Sequence, residues 1–224
     1  MSEGGGAGER AGEPAGEAGR GAFRLAVLAS GTGSNLQAIL DTLHGGPEGI
    51  AVAAVASNVA DAPALARAQQ AGIPTAAFPL EAYPDRSARD TALADWIAGH
   101  EVRLVVLAGY MQLLTPAFLG RFPHAVVNVH PALLPAFPGL DAVGQALAHG
   151  TRVFGVTVHF VDEGVDTGPI ILQRALELPR ARTREDVLEP LHAVEHELLP
   201  EAIRLIARGA VRIDPADPRR VLLD

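Results

Sequence analysis

The chain contains no cysteine and no lysine. Without cysteine there is no thiol nucleophile, no thiolate zinc site and no disulfide. Without lysine, all 18 basic residues being arginine, there is no Walker-type phosphate loop, no pyridoxal Schiff base and no lysine general base. Positive charge is scarce as well. The formal net charge of −8 argues against a nucleic-acid binder, which needs a basic face, though a local basic pocket remains compatible. Long hydrophobic runs are missing: no stretch reaches membrane-spanning length. The opening residues carry no hydrophobic signal core either, so the cytoplasm is the expected location. Catalysis is left to His, Asp, Glu, Asn, Ser, Thr, Tyr, Arg and the backbone.

What is present suits a globular α/β protein. The 224 residues are 48% hydrophobic, ample for one domain or two small ones and unlike a disordered chain. Residues 1–21 are Gly, Ala and Glu with little else, four glutamates against two arginines. That composition reads as a disordered leader. From there strands and helices alternate. Strands are expected at Arg24–Ala29, Ala51–Ser57, Thr75–Phe78, Arg103–Ala108 and Ala125–Val129. Between them lie helices at Leu36–Leu43, from a cap at Asp61 to about Ala71, at Asp85–His100, and a short one opened by Thr115-Pro116. This alternation implies a parallel sheet covered by helices on both faces. Further on come a helix at Asp141–His149 and two strands, Val153–Val161 and Ile170–Leu178, that read as a hairpin arm. A long helix at Arg182–Arg208 is expected to be interrupted near Pro190 or Pro200, and Val211–Asp224 to add a short edge strand. Residues 22–213 show no repeat and no linker, so one domain is expected there, with 214–224 as a tail.

The stretch Val126–Gly139 (VVNVHPALLPAFPG) organises the rest. A β-branched run ends in two polar residues at alternate positions, Asn128 and His130, which therefore share a face. Pro131 stops the strand, and Pro135 and Pro138 stiffen the loop after it. An amide beside an imidazole at the carboxyl end of a strand is a place for chemistry. A second stretch, Ser30–Asn35 (SGTGSN), turns tightly between strand and helix and reads equally well as a phosphate cradle or as a sharp capped turn. It lacks the third glycine and the downstream acid of a dinucleotide site, with Leu36 and Ser57-Asn58 in those places, so a nicotinamide cofactor is disfavoured. Arg86 and Arg89 stand in the first turns of a helix, where cations are unfavourable. Solvated surface is the simplest reading of each, and a bound anion would relieve Arg86. Asp162, Glu163 and Asp166 crowd a turn whose Asp-Thr-Gly-Pro ending is an ordinary turn signal. Glu195 and His196 read as a solvated helix face.

Four stretches together, SGTGSN, AGYMQLL, NVHPALLPAFPG and TVHFVDEGVDTGPIILQ, resemble the phosphoribosylglycinamide formyltransferase family over about residues 23–213. The resemblance implies an α/β single-domain formyltransferase fold: a mostly parallel twisted sheet, a Rossmann-like N-terminal half and a C-terminal β-hairpin arm. It implies an enzyme that moves the formyl group of 10-formyltetrahydrofolate, a co-substrate, to the amine of glycinamide ribonucleotide in purine biosynthesis, without a metal. The matching catalytic residues are Asn128, His130 and Asp166. Asn128 and a protonated His130 would donate to the oxyanion, and Asp166 would hold the charge on His130 and orient a proton-carrying water. The ribonucleotide would be held by Gly31, Thr32, Gly33, Ser34, Asn35 and Glu195. The folate would meet Arg86, Tyr110, Met111, Gln112, Leu113, Leu114, Asn128, Val161 and Asp162. Two positions depart from the family: Gln112 stands where relatives often carry Arg, and Asp141 where many carry His. No nucleic acid or membrane partner is implied, and a homodimer stays open. The alternative is another enzyme using the same co-substrate, either a hydrolase or a formyltransferase acting on a different amine.

Overall fold

The computed structural model describes Met1 and residues 21–224, so the leader reading of 1–21 lies almost wholly outside the described residues. Strand β1 (Phe23–Leu28) is followed by α1 (Ser34–Thr42), β2 (Ile50–Ser57), α2 (Pro63–Gln70), β3 (Thr75–Ala77), α3 (Arg86–Ala98) and β4 (Leu104–Leu107). Then come α4 (Pro116–Leu119), β5 (Val126–His130), α5 (Ala142–Ala148), β6 (Val153–Phe160), β7 (Ile170–Glu177), α6 (Arg184–Ala207), β8 (Val211–Asp214) and β9 (Asp217–Leu223). Seven strands form one sheet in the order β3-β2-β1-β4-β5-β6-β7. The first five are parallel; β6 and β7 are antiparallel additions.

Strand alternation divides the core into two layers. Leu25, Val27, Val106 and Val127 face one side with Leu36, Ile39, Leu191 and Ile203. Ala26, Leu28, Val105 and Leu107 face the other with Leu93, Ile97, Phe118 and Phe122. Both faces of the parallel strands are buried, which is why those strands read as continuous apolar runs. Strand order reverses between β1 and β4, and at such a switch point the loops diverge and leave a crevice at the carboxyl ends of the strands.

Three local expectations are corrected. Helix α6 runs unbroken for 24 residues through Pro190 and Pro200, opened by a capping box between Thr183 and Asp186. An interior proline costs about 3 kcal/mol, and α6 buries Val187, Leu191, Leu198, Leu199, Ala202 and Ile203, each large side chain contributing roughly 1.5–3 kcal/mol. Packing outweighs the backbone defect. Helix α2 is not capped by Asp61: its cap is Ala62, whose side chain makes no cap bond, and Pro63 begins the helix. The C-terminal segment does not extend the main sheet either; β8 and β9 pair only with each other, as a separate antiparallel hairpin spanning residue 214. Among the described residues no helix is long and apolar enough to cross a membrane.

Candidate active site

Antiparallel pairing of β5 with β6 places Asn128 opposite His159 and His130 opposite Thr157. Directly opposed residues share a face, so the polar pair on β5 meets a second polar pair on β6. The turn after β6 then brings Asp166 back over them. Asp166 Oδ1 lies 3.4 Å from Asn128 Nδ2 and 3.5 Å from His159 Nε2. Its Oδ2 lies 3.4 Å from His130 Nδ1 and accepts the Gly139 N–H at 2.7 Å.

Each group is held from behind. His130 Nε2 meets the Phe137 carbonyl at 2.8 Å, so both ring nitrogens face oxygen acceptors, which the two donors of an imidazolium satisfy. Phe137 and Asp166 themselves sit at φ 55° and 54°, the left-handed region that costs a residue other than glycine roughly 1–2 kcal/mol. Such strain gathers where a loop must deliver one group to one place. His159 Nδ1 meets the Phe160 carbonyl at 2.8 Å, which assigns the proton to Nδ1. Nε2 then accepts from Asn128 Nδ2, 3.2 Å away, when bare, and donates to Asp166 when protonated. Thr157 supports the proline loop: its hydroxyl donates to the Ala132 carbonyl at 2.7 Å and accepts the Leu134 N–H at 3.1 Å. Burial pushes the Asp166 carboxyl up, but the hydrogen bonds from His159 and Gly139 and the charges of both histidines outweigh it and hold it down at about 2.

These groups open onto a cavity of about 520 Å³, within the usual range for a drug-sized ligand. Tyr110, Met111, Gln112, Leu113, Leu114, Val161 and Asp162 all line it. Met111 and Leu113 are 59% and 54% exposed, an apolar rim suited to an aromatic ligand. Burial pushes the Tyr110 phenol up to about 12, so it stays neutral. Asp162 spends Oδ1 on its own turn, accepting from Gly164 N–H and Thr167 hydroxyl. Arg86 is not on the cavity wall; its guanidinium donates to the Leu113 carbonyl at 2.7 Å. At the mouth, Asp141 caps α5 and pairs with Arg184 from α6.

The glycine turn forms a second centre. Gly33 caps α1 at φ 73°, and the first N–H groups of a helix have no partner within it. Asn35 Nδ2 donates to Glu195 Oε2 at 2.8 Å across the two helices, while Asn35 Oδ1 is buried with no partner among the described residues. Glu195 is therefore not on a solvated face: it is buried, which pushes its carboxyl up against the opposing effects of Asn35 and His192. Gly31 to Asn35 and Glu195 do not line the 520 Å³ cavity, so the structure sets them apart from Asn128, His130 and Asp166.

Two groups escape the sequence. His159 stands out only through the alternation Thr157-x-His159, which mirrors Asn128-x-His130; recognising its place requires the strand register. Arg89 was expected on solvated surface, yet it is fully buried beside Asp90, and no pattern distinguishes it from Arg86. Among the described residues no cluster of His, Asp and Glu is arranged to hold a metal ion.

The formyl transferase family matches residues 23–203. Phosphoribosylglycinamide formyltransferase of Bacillus subtilis is 41% identical over 181 residues, 81% of this chain and 93% of the relative. The Mycobacterium tuberculosis enzyme of the same name is 42% identical over 85% of this chain and 87% of the relative. The trifunctional purine biosynthetic protein adenosine-3 of Bos taurus is 43% identical, but the chain spans only 19% of it. Among solved structures, glycinamide ribonucleotide transformylase 1 from Symbiobacterium toebii superposes with a TM-score of 0.86 at 49% identity, covering 90% of this chain and 94% of that one.

Two stability measurements check this geometry. A depressed carboxyl stabilises the fold above its unfolded pKa and loses that contribution as pH falls through the folded value. The unfolding free-energy gap between wild type and Asp166→Asn is therefore expected to shrink from about pH 4 down to about pH 2, as read by urea denaturation. An unchanged gap across that window overturns the assignment. A Cβ on Gly33 would lie 2.8 Å from Ala64 Cβ, whereas one on Gly31 meets nothing within 4 Å. Gly33→Ala should thus lower the thermal midpoint by several degrees and Gly31→Ala should not; equal midpoints would remove Gly33 from its role in docking the turn on α2.

Proposed function

This chain belongs to the formyl transferase family, and we propose that Asn128, His130 and Asp166 carry its reaction: transfer of the formyl group of 10-formyltetrahydrofolate to the primary amine of glycinamide ribonucleotide. The convergence of these three side chains on one cavity, at the carboxyl end of the parallel sheet, carries the reading. A cavity of about 520 Å³ is of the size that takes a ligand as large as the co-substrate. The co-substrate's aromatic body matches the rim of Met111, Leu113 and Leu140, and its polar ring edge matches the irregular backbone of residues 109–114 and 162–164, which belong to no strand.

The residues divide the work by charge. When the amine adds to the formyl carbon, its carbonyl oxygen becomes an oxyanion. Asn128 Nδ2 keeps one proton toward His159; the other, held only by the long 3.4 Å contact to Asp166, turns to stabilise that oxygen, and the His130 ring supplies positive charge beside it. The attacking nitrogen sheds a proton as the folate nitrogen gains one, so the proton count balances and only the C–N bond exchanges partners. Asp166, ionised across the neutral range, keeps the imidazolium oriented and accepts from the water that relays the proton. His159 tethers Asn128 and Asp166 to each other, and Gly139 fixes the remaining carboxylate oxygen.

The glycine turn serves the ribonucleotide. Free N–H groups at the start of α1, with the helix dipole behind them, favour a phosphate. The buried Asn35–Glu195 pair offers a carboxylate to ribose hydroxyls. Gly31→Ala, which leaves the fold intact, is expected to raise KM for the ribonucleotide severalfold and leave that for the folate unchanged. The homodimer and a cytoplasmic site of action belong to the same proposal; light scattering giving twice the chain mass would support the first, and the chain mass alone would reject it.

The decisive assay follows tetrahydrofolate formation with and without the ribonucleotide. Release that depends on the ribonucleotide is expected; release without it would mean hydrolysis. In that assay Asp166→Asn should lower kcat by roughly two to four decades with small changes in either KM. Wild-type turnover in this variant would leave the acidic turn a binding loop only.

A further inference from the structure

The first turns of α3 carry a buried ion pair that the chemistry above does not use. Arg89 and Asp90 are both fully buried. Arg89 Nε and Nη2 donate to Asp90 Oδ1 at 2.9 and 2.7 Å, and Arg89 Nη1 donates to Gln112 Oε1 at 3.0 Å. Asp90 Oδ2 accepts the Thr115 N–H at 2.7 Å. One turn earlier on the helix, Arg86 holds the Leu113 carbonyl. Residues 86, 89 and 90 share one helix face, so three side chains of that face grip residues 112, 113 and 115. From the opposite side the Ser30 hydroxyl accepts the Met111 N–H at 2.8 Å. The segment they grip is irregular and forms the wall of the cavity.

A buried ion pair gives little net stability, because desolvating two charges offsets their attraction, and well-packed apolar side chains often serve as well. Its distinctive contribution is directional. Arginine has only donors, so the Gln112 amide oxygen must turn toward it, and the Gln112 NH₂ is left on the other side of the amide group, on a residue that lines the cavity. No strand ladder shapes residues 109–115; side-chain anchors do.

We propose that Arg89 and Asp90 are positioning residues for the co-substrate: acting from behind the wall, they set the conformation of residues 109–115 and the orientation of the Gln112 amide, and thereby the affinity for the folate but not for the ribonucleotide. The proposal rests on reading this cavity as the folate site.

The test uses the full chain and tetrahydrofolate, the reaction product, as the binding probe in calorimetry, beside steady-state kinetics with both substrates. In Arg89→Met/Asp90→Leu the buried charges give way to apolar groups of similar size. The chain should stay folded with the thermal midpoint lowered by only a few degrees, because the Thr115 N–H loses its acceptor; the Kd for tetrahydrofolate and KM for the formyl co-substrate should rise about tenfold or more, and KM for the ribonucleotide and kcat at saturation should stay within about threefold. Arg89→Lys provides a second variant that keeps the charge: a single ammonium cannot fork between Asp90 and Gln112, so folate affinity should fall severalfold with the fold intact. Wild-type folate affinity in a folded Arg89→Lys or in the folded double variant overturns the proposal, as does an equal rise in both KM values. Failure of the wild-type chain to bind tetrahydrofolate would instead sink the assignment of the cavity, with the clamp left as a device of the fold.

Discussion

The candidate active site depends on one register, that of β5 against β6. A shift of a single residue would turn every side chain on β6 to the opposite face. His159 would leave Asn128, Thr157 would leave the proline loop, and the turn carrying Asp166 would be aimed elsewhere. The antiparallel addition to a parallel sheet is thus the feature on which the constellation rests. It places two polar pairs face to face in the interior of a strand ladder, where unpaired polar groups would cost roughly 1–3 kcal/mol each. Hydrogen bonding among Asn128, His130, His159 and Asp166, and to the Phe137 and Phe160 carbonyls, meets that demand.

The same logic of one group held by several others recurs outward from the centre. Asp166 is fixed by Gly139, Gly139 lies in a loop supported by Thr157, and the loop ends at Asp141, which is pinned to Arg184. On the other wall Ser30, Arg86, Arg89 and Asp90 hold the segment after β4. Neither wall is a regular element. Irregular backbone is what a site needs if peptide groups are to meet a polar ligand, and side-chain anchors are what make such backbone reproducible. The carboxyls of Asp166, on the cavity, and Glu195, behind the glycine turn, show how environment divides like residues. Asp166 receives donors and positive charge and is held low, whereas Glu195 is dominated by desolvation and pushed up.

Much of this was legible in the chain order. Apolar runs of four to eight residues alternating with helical periods imply the parallel sheet, and Asn128-x-His130-Pro marks the end of its last parallel strand. These signals are local: side-chain direction alternates along a strand whatever lies around it, and proline ends a ladder in any context. The prolines of α6 misled for the same reason. Local propensity argues for a break, and the helix persists because its buried face is decided by β6, β7 and α1. Asp61 beside Pro63 likewise looks like a cap, but Ala62 takes that place.

What the sequence determined by itself is therefore the kind of fold and the residues able to do chemistry, because strand periodicity, turn chemistry and the exclusion of lysine and cysteine are properties of the chain alone. Tertiary structure decided which of those residues meet. His159 joined the centre through strand register, Glu195 was buried by the docking of α6 on α1, and Arg89 became an interior charge while Arg86, three residues earlier on the same helix, stayed at the surface. Each outcome is a matter of what packs opposite, and burial and partnership are set by residues distant in sequence. The charge on a side chain is written in the chain; whether it faces water, a carboxylate or a ligand is settled only when the layers close.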